Sequence, residues 1–313
     1  MKYNPYVKGA PNVSEMGIGA WQLGKSPDWT SMTEQEAISL VHRALDLGIN
    51  FFDTAPNYGL GTSEIRLGNA LEHIDRDTIV INSKFGHLST GELNFASTVI
   101  RESLEGSLRR LKTDYLDTLI IHNPPRNYLD GTRTDHYEIL EKLVAEGKIK
   151  AYGASLDTYD EMKLLLDTTE SKVIEAFFNI LFQDTARAFE LAKEKDVAII
   201  AKIPLDSGWL AGKYSPETEF EDIRKRWSGD DKKLRFELVQ QLEELLPPNV
   251  KLADAALQFC LAFDAVSTVI PGNKNMAQLE SNYAGIQNRL SKEMVLKLQE
   301  FYIDKVKHLN LPW

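Results

Sequence analysis

The sequence predicts a single-domain α/β protein, a (β/α)8 TIM barrel spanning residues 1–313. Three observations carry this expectation. Short β-branched runs alternate with amphipathic stretches of helical period along the whole chain, the pattern of parallel β-α-β units. Eight such runs are present, enough to close a ring, with a doubly wound open sheet as the alternative. The runs are mostly apolar, as expected for strands covered on both faces.

The first and weakest strand, MGIGAW, lies near Gly19. The others end near Asp53 (INFFDT), Lys84 (TIVINSKFG), His122 (DTLIIHN), Ser155 (IKAYGAS), Asn179 (VIEAFFN), Ile203 (VAIIAKIP) and Ile270 (AVSTVIPG). Between them, Thr33 with Glu36 forms a capping box that opens a helix ending at Gly48. Ile100, Leu104, Leu108 and Leu111 form one apolar stripe. Asp135 with Glu138, and Thr158 with Glu161, repeat the box pattern, and Gly147 marks a stop between them. Further helices are expected over 184–195, 252–263 and 291–306. The segment 205–251 is longer than an ordinary βα connection, and segments of that length usually carry function.

The chain's 313 residues would suit two domains, yet α/β barrels often reach this size as one. Its 43% hydrophobic and 26% charged residues are those of a soluble globular protein. The single cysteine, Cys260, cannot form an intrachain disulfide. It falls in an apolar run and reads as a small buried thiol rather than a nucleophile. A net charge of −10 opposes general attraction to nucleic acid or anionic membrane. The basic run Arg224-Lys225-Arg226 is flanked by acidic residues and reads as a solvated loop. The N-terminal stretch lacks the apolar segment of a signal peptide, and no apolar run is long enough to span a bilayer, so a cytoplasmic protein is expected. The sequon Asn12-Val13-Ser14 then reads as chance.

Several chemistries are missing. The early glycines Gly17, Gly19 and Gly24 do not form the G-x-G-x-x-G turn of a doubly wound dehydrogenase. GWLAGKY is one residue short of a phosphate loop and ends in Tyr214 instead of Ser or Thr. There is no H-E-x-x-H motif and no cysteine pair, so no metal site is expected.

In a barrel enzyme the chemistry collects at the C-terminal strand ends. The polar residues there are Asp53, Lys84, His122 and Ser155, and Tyr58 follows Asp53 in the next loop. A charge closing an apolar strand is costly unless paired, and Asp53 and Lys84, on neighbouring strands, are natural partners. Singly, each residue has an ordinary structural explanation: a turn cap, a solvated lysine, a half-buried histidine. Together they form a coherent proton-transfer set.

The chain resembles the aldo-keto reductase family through these residues. FFDTAPNYGLGTSEIRLGNAL is similar to the family signature, with Asp53 and Tyr58 at matching positions, and Lys84 and His122 stand where the family places its other two catalytic residues. IPLDSGWLAGKY and STVIPGNKNMAQLESN resemble its cofactor-binding segments, so the resemblance covers nearly the whole chain. It implies an NADP(H)-dependent oxidoreductase, with NAD(H) as the alternative cofactor, that interconverts an aldehyde or ketone and an alcohol. Lys84, held by Asp53, is expected to lower the phenol pKa of Tyr58 from about 10 so that it donates a proton as hydride arrives. His122 would hydrogen-bond the same oxygen. By the same resemblance, Ser155 touches the nicotinamide carboxamide, and Leu205, Ser207 and Leu210 line the pyrophosphate under a covering loop at about 205–251. Lys274 meets the 2′-phosphate, and Gln278 and Asn282 lie near the adenine end. Gly19, Pro204 and Gly272 complete the expected cofactor wall.

Three positions depart from the family pattern. Leu156 follows the serine where many members have Asn. Glu175 stands where many have Gln, and Lys202 where many stack an aromatic ring on the nicotinamide. Gln278 also stands where some members have Arg. The expected cofactor wall therefore holds fewer neutral amides, with Lys202 placing a cation near the ring. Trp21, Phe85 and Asn123 are expected in the substrate pocket, with His87 and Trp227 as further wall candidates. Two other readings are a non-catalytic, regulatory nicotinamide-binding barrel and a barrel glycosidase using two carboxylates such as Asp53 and Glu175.

Overall fold

A computed structural model describes residues 1–25, 32–309 and 311–312. A short hairpin comes first, β1 (Tyr3–Asn4) and β2 (Val13–Ser14). Eight parallel strands follow: β3 (Ile18–Gly19), β4 (Phe51–Asp53), β5 (Val80–Phe85), β6 (Leu116–Ile121), β7 (Ile149–Leu156), β8 (Val173–Phe177), β9 (Ala198–Lys202) and β10 (Val266–Ile270). They pair in sequence order, and the ring closes where Gly17 N donates to Val269 O at 2.9 Å and Val269 N donates to Glu15 O at 3.0 Å. The closed barrel is the predicted architecture, and the open sheet is not formed.

The outer layer contains α1 (Glu34–Asp46), α2 (Thr62–Leu71), α3 (Ile100–Leu111), α4 (His136–Ala145), α5 (Tyr159–Thr168), α6 (Phe189–Glu194), α7 (Gly229–Leu245), α8 (Leu252–Cys260), α9 (Met276–Gly285) and α10 (Lys292–Phe301). The expected capping boxes of α1 and α5 are both present. The box expected at Asp135 is not: Asp135 makes no cap bond, and its carboxylate instead accepts from Ser97 Oγ at 2.8 Å. The segment 205–251 is only partly loop, because α7 occupies its centre behind a third capping box, Ser228 with Asp231. Cys260 is buried and unpaired, as its apolar surroundings implied. Among the described residues no helix is long and apolar enough to cross a membrane.

Side chains alternate along each strand, and that alternation divides the molecule into layers. One set faces the helices and joins the large outer core, including Phe52, Ile81, Phe85, Leu119, Ile121 and Ala154. The other set faces the barrel axis. At the bottom it is apolar, where Phe51, Val80, Ile120, Ala151, Val173, Ile200 and Ile270 pack against Val7 and Val13 of the hairpin region. Two residues further along these strands the inward positions turn polar at Asp53, Asn82, His122, Glu175 and Lys202, and four residues further at Lys84 and Ser155. The barrel is therefore plugged with hydrocarbon at one end and charged at the other.

Close strand packing here depends on Gly153. A Cβ at this position would lie 1.6 Å from Val173 O on β8, a distance no side chain adopts. The segment 205–251 is anchored by a buried ion pair in which Arg235 Nε of α7 lies 3.2 Å from Asp206 Oδ2, both side chains being fully buried. Burial raises the Asp206 carboxyl pKa and Arg235 opposes that rise. Arg235 Nη2 also donates to Pro312 O, tying the chain's C-terminal end to the same segment.

Two stability changes are expected. Gly153→Ala forces β7 and β8 apart and should lower unfolding free energy by about 1–3 kcal/mol, the usual cost of overpacking, measured by urea denaturation. Arg235→Met leaves Asp206 buried without its counter-ion and should cost about 3–5 kcal/mol. Combining it with Asp206→Leu should recover part of that loss, whereas simple additivity would contradict the pairing.

Candidate active site

At the polar mouth, Lys84 Nζ is fully buried and held by three oxygens: Asp53 Oδ1 at 2.6 Å, Thr54 O at 3.1 Å and Glu175 Oε2 at 3.2 Å. A bare ammonium would not remain there, because a buried charge is costly without partners. Burial alone pulls the Lys84 pKa down, but the two carboxylates outweigh it and hold the group above the ordinary lysine value. Asp53 is pushed up to about 7, first by burial and then by Glu175, with Lys84 and Asn82 working against the rise. Two carboxylates compete for one ammonium.

A directional chain of hydrogen bonds supports Asp53 from below. Tyr6 from the hairpin region reaches Thr118 Oγ1 at 2.8 Å, and Thr118 Oγ1 donates to Asn82 Oδ1 at 2.7 Å. Asn82 Nδ2 then donates to Asp53 Oδ1 at 2.7 Å. With Thr118 donating upward, Tyr6 must be the donor below it. Its phenol stays protonated, since burial raises its pKa well above the ordinary range. Neither Asn82, Thr118 nor Tyr6 was singled out from sequence. The signal available was strand alternation, which places Asn82 on the same face as Lys84.

Tyr58 lies above this cluster, with Lys84 Nζ 5.0 Å from its ring centroid. The His122 ring meets it edge-on at 5.7 Å between centroids. The three groups foreseen from sequence thus converge. The expected pKa direction at Tyr58 is corrected, however: burial raises it above the ordinary phenol value, and Lys84's lowering effect does not overcome that. His122 is held well below the usual imidazole value by burial, then by Lys84 and His87, so the ring is neutral. Its Nδ1 makes no hydrogen bond. His87 stacks on it at 4.1 Å between centroids.

A second polar cluster adjoins the first. Lys202 Nζ lies 2.8 Å from Asp157 Oδ1 and donates to Ser155 Oγ at 2.8 Å and Asn123 Oδ1 at 2.9 Å. Ser155 Oγ in turn reaches Glu175 Oε1 at 3.4 Å. Charges therefore alternate across the mouth: Asp53, Lys84, Glu175, then through Ser155 to Lys202 and Asp157.

A cavity of about 1080 Å³ opens over these groups. Asp53, Tyr58, His122, Asn123, Glu175, Lys202 and Trp21 line it. Gly19, Pro204, Leu205, Ser207, Gly272, Lys274, Gln278 and Asn282 also line it. Ser155 and Lys84 sit just beneath the lining. Within that lining, Gln278 Oε1 accepts from Lys274 N at 2.8 Å, and Asn282 Nδ2 donates to Asn273 Oδ1 at 2.9 Å.

Four sequence expectations are corrected. Phe85 does not face the cavity: one residue past Lys84 on a strand, it points outward and stacks with His136 at 6.3 Å between centroids. Leu210 turns into the outer core rather than toward the cavity. Arg224 and Arg226 are not simply solvated, since both line the cavity. Arg224 is bound to Asp222 and the Tyr214 hydroxyl, its guanidinium 5.0 Å from the Phe220 ring centroid. Trp227 packs against Trp209 and Phe220 and does not line the cavity.

The chain matches the model of the aldo/keto reductase family over residues 15–303. It is 29% identical to L-galactose dehydrogenase of Arabidopsis thaliana across 96% of this chain and 93% of that protein. It is 30% identical to D-threo-aldose 1-dehydrogenase of a Pseudomonas species, covering 88% and 90%. It is 28% identical to NADH-specific methylglyoxal reductase of Escherichia coli, covering 89% and 91%. The holo form of an aldo-keto reductase from Bacillus halodurans superposes with a TM-score of 0.81 at 27% identity, over 99% of this chain and 100% of that one. A match across nearly the whole barrel, on a chain whose acid, phenol, ammonium and imidazole converge at its mouth, makes this protein a member of the aldo/keto reductase family of oxidoreductases.

Proposed function

We propose that this protein reduces an aldehyde or ketone to an alcohol with NADPH, or runs the reverse reaction, with Tyr58 as the proton donor. The observation that carries the reading is the convergence of Lys84 with Tyr58 and His122, the latter two lining a cavity of about 1080 Å³. When bound, the cofactor supplies or accepts the hydride.

The protein's own groups account for the rest. Tyr58, protonated at neutral pH, donates its phenolic hydrogen to the carbonyl oxygen as negative charge develops there. His122 is neutral and so offers the same oxygen a second hydrogen bond, forming a small oxyanion site. The Lys84 ammonium stabilises the phenolate left when Tyr58 gives up its proton, and Asp53 keeps Lys84 in place. Elsewhere in the cavity lining, Lys274, Arg224 and Lys213 supply the cations that phosphate groups need. Lys274 is assigned to the 2′-phosphate. Lys202 and Glu175 fit a nicotinamide less simply than neutral amides and an aromatic ring would. Ser155 remains beside them, with its hydroxyl already shared between the two.

The glycosidase reading loses support because Asp53 and Glu175 both bind Lys84, leaving neither free to act as an acid on a glycosidic oxygen. A purely regulatory barrel has no need of the complete Asp53, Tyr58, Lys84 and His122 set. The names of relatives favour sugar or small carbonyl substrates: an L-galactose dehydrogenase, an aldose dehydrogenase and a methylglyoxal reductase.

Two tests follow. Tyr58→Phe should bind NADPH as tightly as wild type in a fluorescence titration and lose at least about a hundredfold in turnover of para-nitrobenzaldehyde; full turnover would remove Tyr58 as donor. Lys274→Ala should weaken NADPH by about tenfold, the loss of a charge-assisted contact, and leave NADH nearly unchanged; equal losses would take Lys274 out of the phosphate site.

A further inference from the structure

By resemblance, Glu175 stands where many members of the family have Gln, and its contacts define what a carboxylate does there. Glu175 Oε2 lies 3.2 Å from the ammonium that Asp53 already binds at 2.6 Å, and its side chain is almost fully buried. Glu175 Oε2 accepts no hydrogen bond besides that ion pair. The buried cluster of Asp53, Lys84 and Glu175 therefore carries one more negative than positive charge when all three are ionised.

We propose that Glu175 is a positioning residue that acts through Lys84 to keep Tyr58 in its phenol form, and so sets this enzyme toward carbonyl reduction. The inference rests on the reading of Tyr58 as proton donor and adds a direction to it. In reduction, hydride adds to the carbonyl carbon while the Tyr58 O–H bond breaks and its proton goes to the carbonyl oxygen, leaving a phenolate. In oxidation a phenolate must already be present to take the alcohol proton. An ammonium with one carboxylate partner favours phenolate. With a second carboxylate on it, that pull is offset.

Among the described residues, no other charge around the cluster cancels Glu175. From β4 comes Asp53 and from β5 Lys84. Beyond β6 lies His122, neutral, with His87 stacked on it. From β9 comes Lys202, but Asp157 beyond β7 already pairs with it at 2.8 Å. The direction at Tyr58 agrees: burial raises its pKa, Asp53 and Glu175 raise it further, and Lys84 opposes them.

The test compares wild type with Glu175→Gln, which keeps the shape and removes the charge. In para-nitrobenzaldehyde reduction with NADPH, the alkaline limb of the kcat/KM–pH profile should move down by about one pH unit, the effect of losing a like charge at this range. At saturating cofactor and substrate, kcat for oxidation of the matching alcohol with NADP+ at neutral pH should rise several-fold relative to kcat for reduction, with compensating changes in KM because the equilibrium constant is unchanged. NADPH binding is followed by fluorescence. A limb that stays in place with turnover retained would overturn the proposal. If Glu175→Gln does not turn over, ultraviolet difference absorbance against Glu175→Gln/Tyr58→Phe reads the Tyr58 phenolate directly. Its appearance at lower pH than in the wild-type and Tyr58→Phe pair supports the proposal, and appearance at the same pH overturns it. Full turnover by Tyr58→Phe alone would instead sink the proton-donor reading beneath it.

Discussion

A fully buried ammonium at the axis of a barrel is the constraint on which the rest of this molecule depends. Lys84 cannot be hydrated where it sits, so three oxygens from two chain segments, the end of β4 and β8, converge on it. Asp53, the main partner, is itself fixed by Asn82, which is fixed by Thr118, which receives a hydrogen bond from Tyr6. The N-terminal hairpin region thus does two things at once. Val7 and Val13 seal the apolar bottom of the barrel, and Tyr6 starts the polar chain that ends at the ammonium. Stability and chemistry share one column of side chains.

Above that column the mouth is a row of alternating charges. Such a row is tolerated because each ion touches its opposite: Lys84 lies between Asp53 and Glu175, and Lys202 is bound to Asp157. Ser155 joins the two halves. The departures at Glu175 and Lys202 are therefore coupled. Glu175 and Lys202 both lean on the same serine hydroxyl. The phenol of Tyr58 responds to the sum. Proximity of a lysine is often taken to acidify a tyrosine, but here burial and two carboxylates outweigh it.

The segment 205–251 completes the cavity. Its aromatic residues Trp209, Tyr214, Phe220 and Trp227 pack edge to face and form a small core of their own. Asp206 and Arg235 bind that core to α7. This leaves Ser207, Lys213, Arg224 and Arg226 to face the cavity from a fixed support. A run of basic residues that looks solvated in sequence becomes part of a binding wall because the aromatic core beneath it sets its position.

The sequence alone determined the barrel, its strands and the four groups at its mouth, because alternating strand and helix periods are local signals and because strand ends are where a barrel exposes side chains. Two of its three clear helix boxes formed as read. It did not determine which way Phe85 and Leu210 face, since that depends on the phase of each strand or turn relative to the axis. Nor did it determine that Asp135 would turn to Ser97 instead of capping its helix. The second carboxylate on Lys84, the pairing of Lys202 with Asp157 and the rise in the Tyr58 pKa were decided only by tertiary structure. Each depends on distances of a few ångströms between residues far apart in the chain, and on a burial that no stretch of sequence reports.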